Sequence, residues 1–113
     1  MKIQNLLFIC TSNLTRSPTC EDIFKNSLEY KTKSAGTAEH AVVKVSQDLI
    51  DWADIIFVMC ERTDKHLTYI KNNFNVKDKK IIDLDLEDFI YDKRDDPVLI
   101  EDLTKRLKPY LNI

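Results

Sequence analysis

The chain has 113 residues, 43% of them hydrophobic and 32% charged, with a formal net charge of −2. That length fits one hydrophobic core and not two, so a single domain over residues 1–113 is expected. The nearly balanced charge leaves no basic footprint for nucleic acid and no lysine–arginine run for a membrane surface.

Three cysteines, Cys10, Cys20 and Cys60, are odd in number and share no metal-ligand spacing. This argues against a disulfide framework or a zinc site and for a reducing, cytoplasmic setting. The apolar run from Leu6 to Cys10 is too short for a signal-peptide core, and no other stretch is long enough to span a bilayer.

Ile3 to Ile9, apolar without a break from Leu6, reads as a strand buried on both faces. A loop of small and polar residues follows. Ser17 as N-cap and Pro18 as first helical residue then open a helix to about Tyr30, with Cys20, Ile23, Phe24, Ser27 and Leu28 on one face. Lys31 to Ala35 forms a second strand. It ends at Gly36, the only glycine, which points to a turn with positive φ or a close approach of two backbones.

Ser46 caps a short helix through Gln47, Leu49, Ile50 and Trp52, with Trp52 read as core, and Asp54 to Met59 is a buried third strand. Leu67, Ile70 and Phe74 predict one helix from about Thr63 to Phe74. Lys80 to Leu84 is a fourth strand. Beyond an acidic loop, Asp96 caps a last helix that begins at Pro97, buries Leu99, Leu103 and Leu107 and ends near Pro109. Strands alternating with helices over short connections predict an α/β fold, a parallel sheet with helices on both faces. Ligands in such folds sit beyond the carboxyl ends of the strands, where Cys10 lies.

The stretch from Cys10 to Ser17 carries the chemistry. A loop between a strand and a helix N-terminus can turn its backbone N–H groups inward and form an electropositive cup for a phosphate-like anion. The same donors stabilise a thiolate at the floor of the cup. Arg16 offers a planar fork matched to two phosphate oxygens, which lysine cannot reproduce. Ser17 can donate its hydroxyl to the Cys10 sulfur, and Asn13 can brace the loop and tolerates left-handed backbone. His40 and His66 lie far from this segment along the chain, so activation of the thiol is expected from the loop and not from a histidine base. The simpler readings are a small buried cysteine ending a strand and an arginine in a surface salt bridge. The flanking residues agree instead on one anion site.

The segment FICTSNLTRSPTCEDIF, residues 8–24, resembles the opening of the low-molecular-weight protein tyrosine phosphatase family. Ser34-Ala35-Gly36-Thr37 is similar to that family's second-strand turn, and residues 52–59 resemble its third strand. The similarity runs along the whole chain and is nearest to a short bacterial subgroup of predicted tyrosine phosphatases. It implies a four-stranded parallel sheet with flanking helices and a metal-free, cofactor-free, two-step hydrolysis of phosphate monoesters, with a phosphotyrosine protein or a small aryl phosphate as substrate.

Carried over, the resemblance makes Cys10 the nucleophile and Arg16 the phosphoryl clamp. The backbone of Thr11, Ser12, Asn13, Leu14, Thr15 and Arg16 completes the cradle, with Asn13 and Ser17 in supporting positions. Asp88-Phe89-Ile90-Tyr91 resembles the family's aspartate, proline and two aromatics, which makes Asp88 the general acid and base. Glu87 and Asp96 are the alternatives, Asp96 having a competing role as helix cap.

The family's glycine two places after the cysteine is Ser12 here. Its second loop cysteine is Thr15, so a loop disulfide is not expected. The connection from Gly36 to Ser46 is short and lacks the family's aromatic wall, leaving Phe89 and Tyr91 as candidates for one wall.

Two other function classes stay open. A thioredoxin-linked arsenate reductase would use Cys60 as a relay thiol, although position 67 is Leu67 and Cys20 lies within a helix. A non-catalytic phosphate- or phosphoprotein-binding module, or a phosphocysteine carrier, would keep the cup without a competent acid.

Overall fold

The computed structural model of the protein describes residues 2–88, 91 and 93–113. Strands β1 (Gln4–Cys10), β2 (Tyr30–Gly36), β3 (Ile55–Val58) and β4 (Lys80–Asp83) form one parallel sheet in the order β2-β1-β3-β4. Side chains alternate along a strand, so β1 sends Leu6, Phe8 and Cys10 to one face and Leu7 and Ile9 to the other. All four residues from Leu6 to Ile9 are completely buried, each worth ~1.5–3 kcal/mol of burial.

Helices α1 (Arg16–Ile23) and α5 (Pro97–Leu107) cover the first face, where Cys20, Leu99, Leu103 and Leu107 pack with Phe8 and Phe57. Phe8 also stacks on both Phe24 and Phe57. Helices α2 (Gln47–Trp52) and α4 (His66–Asn73) cover the second face, where Ile50 and Ile70 meet Leu7, Ile9, Ile56 and Val58. The expected sheet with helices on both faces is present. Strand order reverses between β1 and β3, and the crevice at their carboxyl ends opens beside Cys10.

Several local expectations are corrected. Helix α1 begins at Arg16, its N-cap is Thr15, and Ser17 lies inside the first turn. Pro18 still fits, because the first helical N–H groups have no intrahelical acceptor to lose. The helix ends at Ile23, well before Tyr30. The Ser27 hydroxyl accepts from the N–H groups of Glu29 and Tyr30 and stops the chain from continuing. Leu28, assigned to the buried face, is 87% exposed.

The helix expected from about Thr63 to Phe74 is broken into α3 (Glu61–Asp64) and α4, because Lys65 between them is left-handed at φ 58°. Trp52, read as core, packs half-buried against the second-face cluster, with the Lys33 ammonium over its ring. Ser46 and Asp96 cap α2 and α5 as expected, accepting from the N–H groups of Leu49 and Val98. Among the described residues, no helix is long and apolar enough to cross a membrane.

Candidate active site

Residues 11–15 turn from the end of β1 into the first turn of α1. Asn13 holds the left-handed conformation at φ 58°, and its side chain fixes the loop from within. Its Nδ2 donates to Ser17 Oγ and Ser34 Oγ, both at 2.9 Å, and its Oδ1 accepts from Val43 N at 3.1 Å. Ser34 in turn donates to Glu21 Oε1 at 2.6 Å.

Three successive carbonyls of the loop face outward onto the segment after β2. Cys10 O accepts from Thr37 N, Thr11 O from Ala38 N, and Ser12 O from Val42 N. In a trans peptide the N–H points opposite to the C=O, so the N–H groups of Thr11, Ser12 and Asn13 turn the other way, into the cup. Gly36 permits this approach. A Cβ there would lie 2.4 Å from Thr11 O, and its φ is not positive, so the close backbone approach and not the turn conformation requires glycine.

Cys10 is 3% exposed, and its sulfur lies 2.9 Å from Ser17 Oγ. Ser17 already accepts from Asn13, so its own proton is available to the Cys10 sulfur or to Ala35 O at 3.3 Å. The acceptor side of the hydroxyl, which capping would have offered to a helix amide, is taken by Asn13 Nδ2.

Arg16 is buried. Its Nη1 donates to Leu86 O at 2.8 Å and lies 3.0 Å from Asp64 Oδ2, and its Nε lies 3.4 Å from Asp88 Oδ1. Leu86 is itself pinned through its N–H to Met59 O. Among the described residues Arg16 Nε has no aligned acceptor. An unmet buried donor costs ~1–3 kcal/mol, which an incoming oxyanion would relieve.

A cavity of about 90 Å³ opens here, lined by Cys10, Ser12, Leu14, Thr15, Arg16 and Asp88. One water's share of liquid volume is about 30 Å³, so the space suits a small oxyanion. A larger depression of about 610 Å³ between α1 and the β2 edge holds none of the sequence-selected site residues.

Of the three candidate acids, Asp88 lines the cavity. Glu87 pairs with Arg62, and Asp96 caps α5. Tyr91 is not a wall of the site: it is buried in the core with its hydroxyl on Asp102. Burial and that carboxylate push its pKa up to about 12. Phe89, Ile90 and Asp92 lie outside the described residues. The Cys60 sulfur accepts from Thr63 Oγ1 at 3.1 Å and faces Asp85 Oδ1 at 3.7 Å, and all three cysteines are free.

Three participants were not selected from the sequence. Asp64 meets Arg16, His66 Nε2 lies 2.9 Å from Thr11 Oγ1, and His40 Nε2 lies 2.9 Å from Ser12 Oγ. The histidines that are distant along the chain therefore both touch the loop, although the hydrogen-bond partner of Cys10 remains Ser17.

The sequence profile of the low molecular weight phosphotyrosine protein phosphatases matches residues 5–47, from β1 through the loop to the start of α2. No curated protein sequence matches significantly. Among solved structures, the tyrosine phosphatase Wzb from Escherichia coli, determined in complex with phosphate, superimposes with a TM-score of 0.72 at 23% identity, covering 96% of each chain. The YwlE arginine phosphatase from Geobacillus stearothermophilus gives 0.58 at 22% identity over 94% of each chain. The thioredoxin-dependent arsenate reductase of Corynebacterium glutamicum gives 0.66 at 17% identity, covering 96% of this chain and 60% of the other. At these identities the superpositions show a shared fold. The profile match, which includes the Cys10–Ser17 loop, makes the first part of the chain similar to the low-molecular-weight phosphotyrosine protein phosphatases.

Proposed function

We propose that the protein hydrolyses phosphate monoesters, with phosphotyrosine or a small aryl phosphate as substrate, through a phosphocysteine on Cys10. One observation supports this most: Cys10, Arg16 and Asp88 line a single oxyanion-sized cavity. In the first step the sulfur attacks phosphorus, the ester P–O bond breaks, and Asp88 gives its proton to the leaving oxygen. Arg16 and the inward N–H groups of the loop hold the equatorial oxygens as charge shifts among them. In the second step Asp88 takes a proton from water, which attacks phosphorus, and inorganic phosphate leaves from Cys10.

The acid assignment is tested with two esters. Asp88→Asn should slow hydrolysis of an ester with a poor leaving group roughly a hundredfold more than that of one with a good leaving group. Equal, small effects on both would return the role to Glu87 or Asp96. Parallel assays on phosphotyrosine and phosphoserine peptides define the substrate class. Retained vanadate affinity without any turnover would instead favour a binding module.

A further inference from the structure

We propose that His66 is a positioning residue for the phosphate loop, fastening Thr11, the residue after the nucleophile, to the end of β3. The kinetic part of this inference rests on the phosphatase reading. The geometric part does not.

The ring is completely buried, and both nitrogens are engaged. Nδ1 lies 3.0 Å from Cys60 N, an amide that can only donate, so Nδ1 is the acceptor and carries no proton. The remaining proton of a neutral ring sits on Nε2 and is donated to Thr11 Oγ1 at 2.9 Å. Burial and the Arg16 charge push the ring's pKa down to about 4, with Asp64 and Glu61 pulling the other way, so the neutral tautomer holds at neutral pH.

The break at Lys65 makes this contact possible. In one continuous helix, residues two apart do not share a face. The left-handed Lys65 instead lets Asp64 approach Arg16 while His66 reaches Thr11. The two residues flanking one backbone break thus hold the two ends of the loop. Thr11 is fixed three ways: its side chain by His66, its carbonyl by Ala38 N, and the preceding carbonyl by Thr37 N. Removing the side-chain tie frees the first inward N–H of the cup to rotate.

The test uses Thr11→Val, which keeps shape and deletes the acceptor, together with His66→Phe, His66→Gln and the Thr11→Val/His66→Phe double variant. Each of Thr11→Val and His66→Phe should lower kcat on an aryl phosphate and weaken vanadate inhibition by about tenfold, the scale of one hydrogen bond. The double variant should be no worse than the poorer single one, because both changes delete the same bond. His66→Gln, whose amide can still donate to Thr11, should recover most of the loss, whereas in the Thr11→Val background it should recover nothing.

Multiplying effects in the double variant would overturn the proposal. So would a lowered unfolding midpoint with unchanged vanadate inhibition. If His66→Phe does not fold, Thr11→Val and His66→Gln decide alone: loss in the first and near wild-type vanadate inhibition in the second support the tie, and an unaffected Thr11→Val overturns it. Protection of Cys10 from iodoacetamide by vanadate reads the loop without turnover. A wild-type protein that is protected but hydrolyses nothing would therefore remove the hydrolase reading while leaving this test intact.

Discussion

Arg16 carries a buried charge between two carboxylates that arrive from different segments, Asp64 from α3 and Asp88 from the loop after β4. Asp64 and the Leu86 carbonyl hold the Nη1 side of the guanidinium, and among the described residues Nε has no aligned partner. A lysine could satisfy one of these points but not present the fork. Arg16→Lys should therefore lower kcat/KM on an aryl phosphate by about a hundredfold or more and weaken inhibition by inorganic phosphate, both measured by steady-state kinetics. Cys10, Asn13, Arg16 and Ser17 were legible in the sequence because they lie within one turn of chain, where spacing dictates proximity. Asp64 and His66 were not, because their contacts with Arg16 and Thr11 bridge segments that only the completed sheet brings together.

At the scale of elements, the cup depends on the segment after β2 as much as on the loop itself. Thr37, Ala38 and Val42 take the carbonyls on its outer side, and Gly36 lets that segment lie against Thr11. Gly36→Ala would place a methyl 2.4 Å from Thr11 O and 2.7 Å from Ala41 Cβ. Backbone would have to move, at a cost of ~1–3 kcal/mol. Urea unfolding should show that loss, and vanadate inhibition should weaken in the same variant; full retention of both would contradict the outer-splint account. The sequence marked Gly36 as special but could not say what it met. The break at Lys65 was illegible for another reason. Leu67, Ile70 and Phe74 keep helical period through α4, and nothing in the side-chain pattern marks a non-glycine residue about to turn left-handed.

For the whole molecule, the parallel sheet was legible because β1 and β3 are apolar on both faces, as strands covered from two sides must be. The order β2-β1-β3-β4 then places the reversal of strand order beside Cys10, and the loop after β4 brings Asp88 to the same crevice. In the proposed hydrolysis the Cys10 sulfur is the one atom that receives the phosphoryl group. The direct measurement is rapid denaturing quench during turnover of an aryl phosphate, followed by peptide mapping. The account predicts one phosphoryl group on the peptide containing Cys10 and neither adduct nor turnover in Cys10→Ser. Sustained turnover by Cys10→Ser, or a phosphoryl group on any other residue, would contradict it.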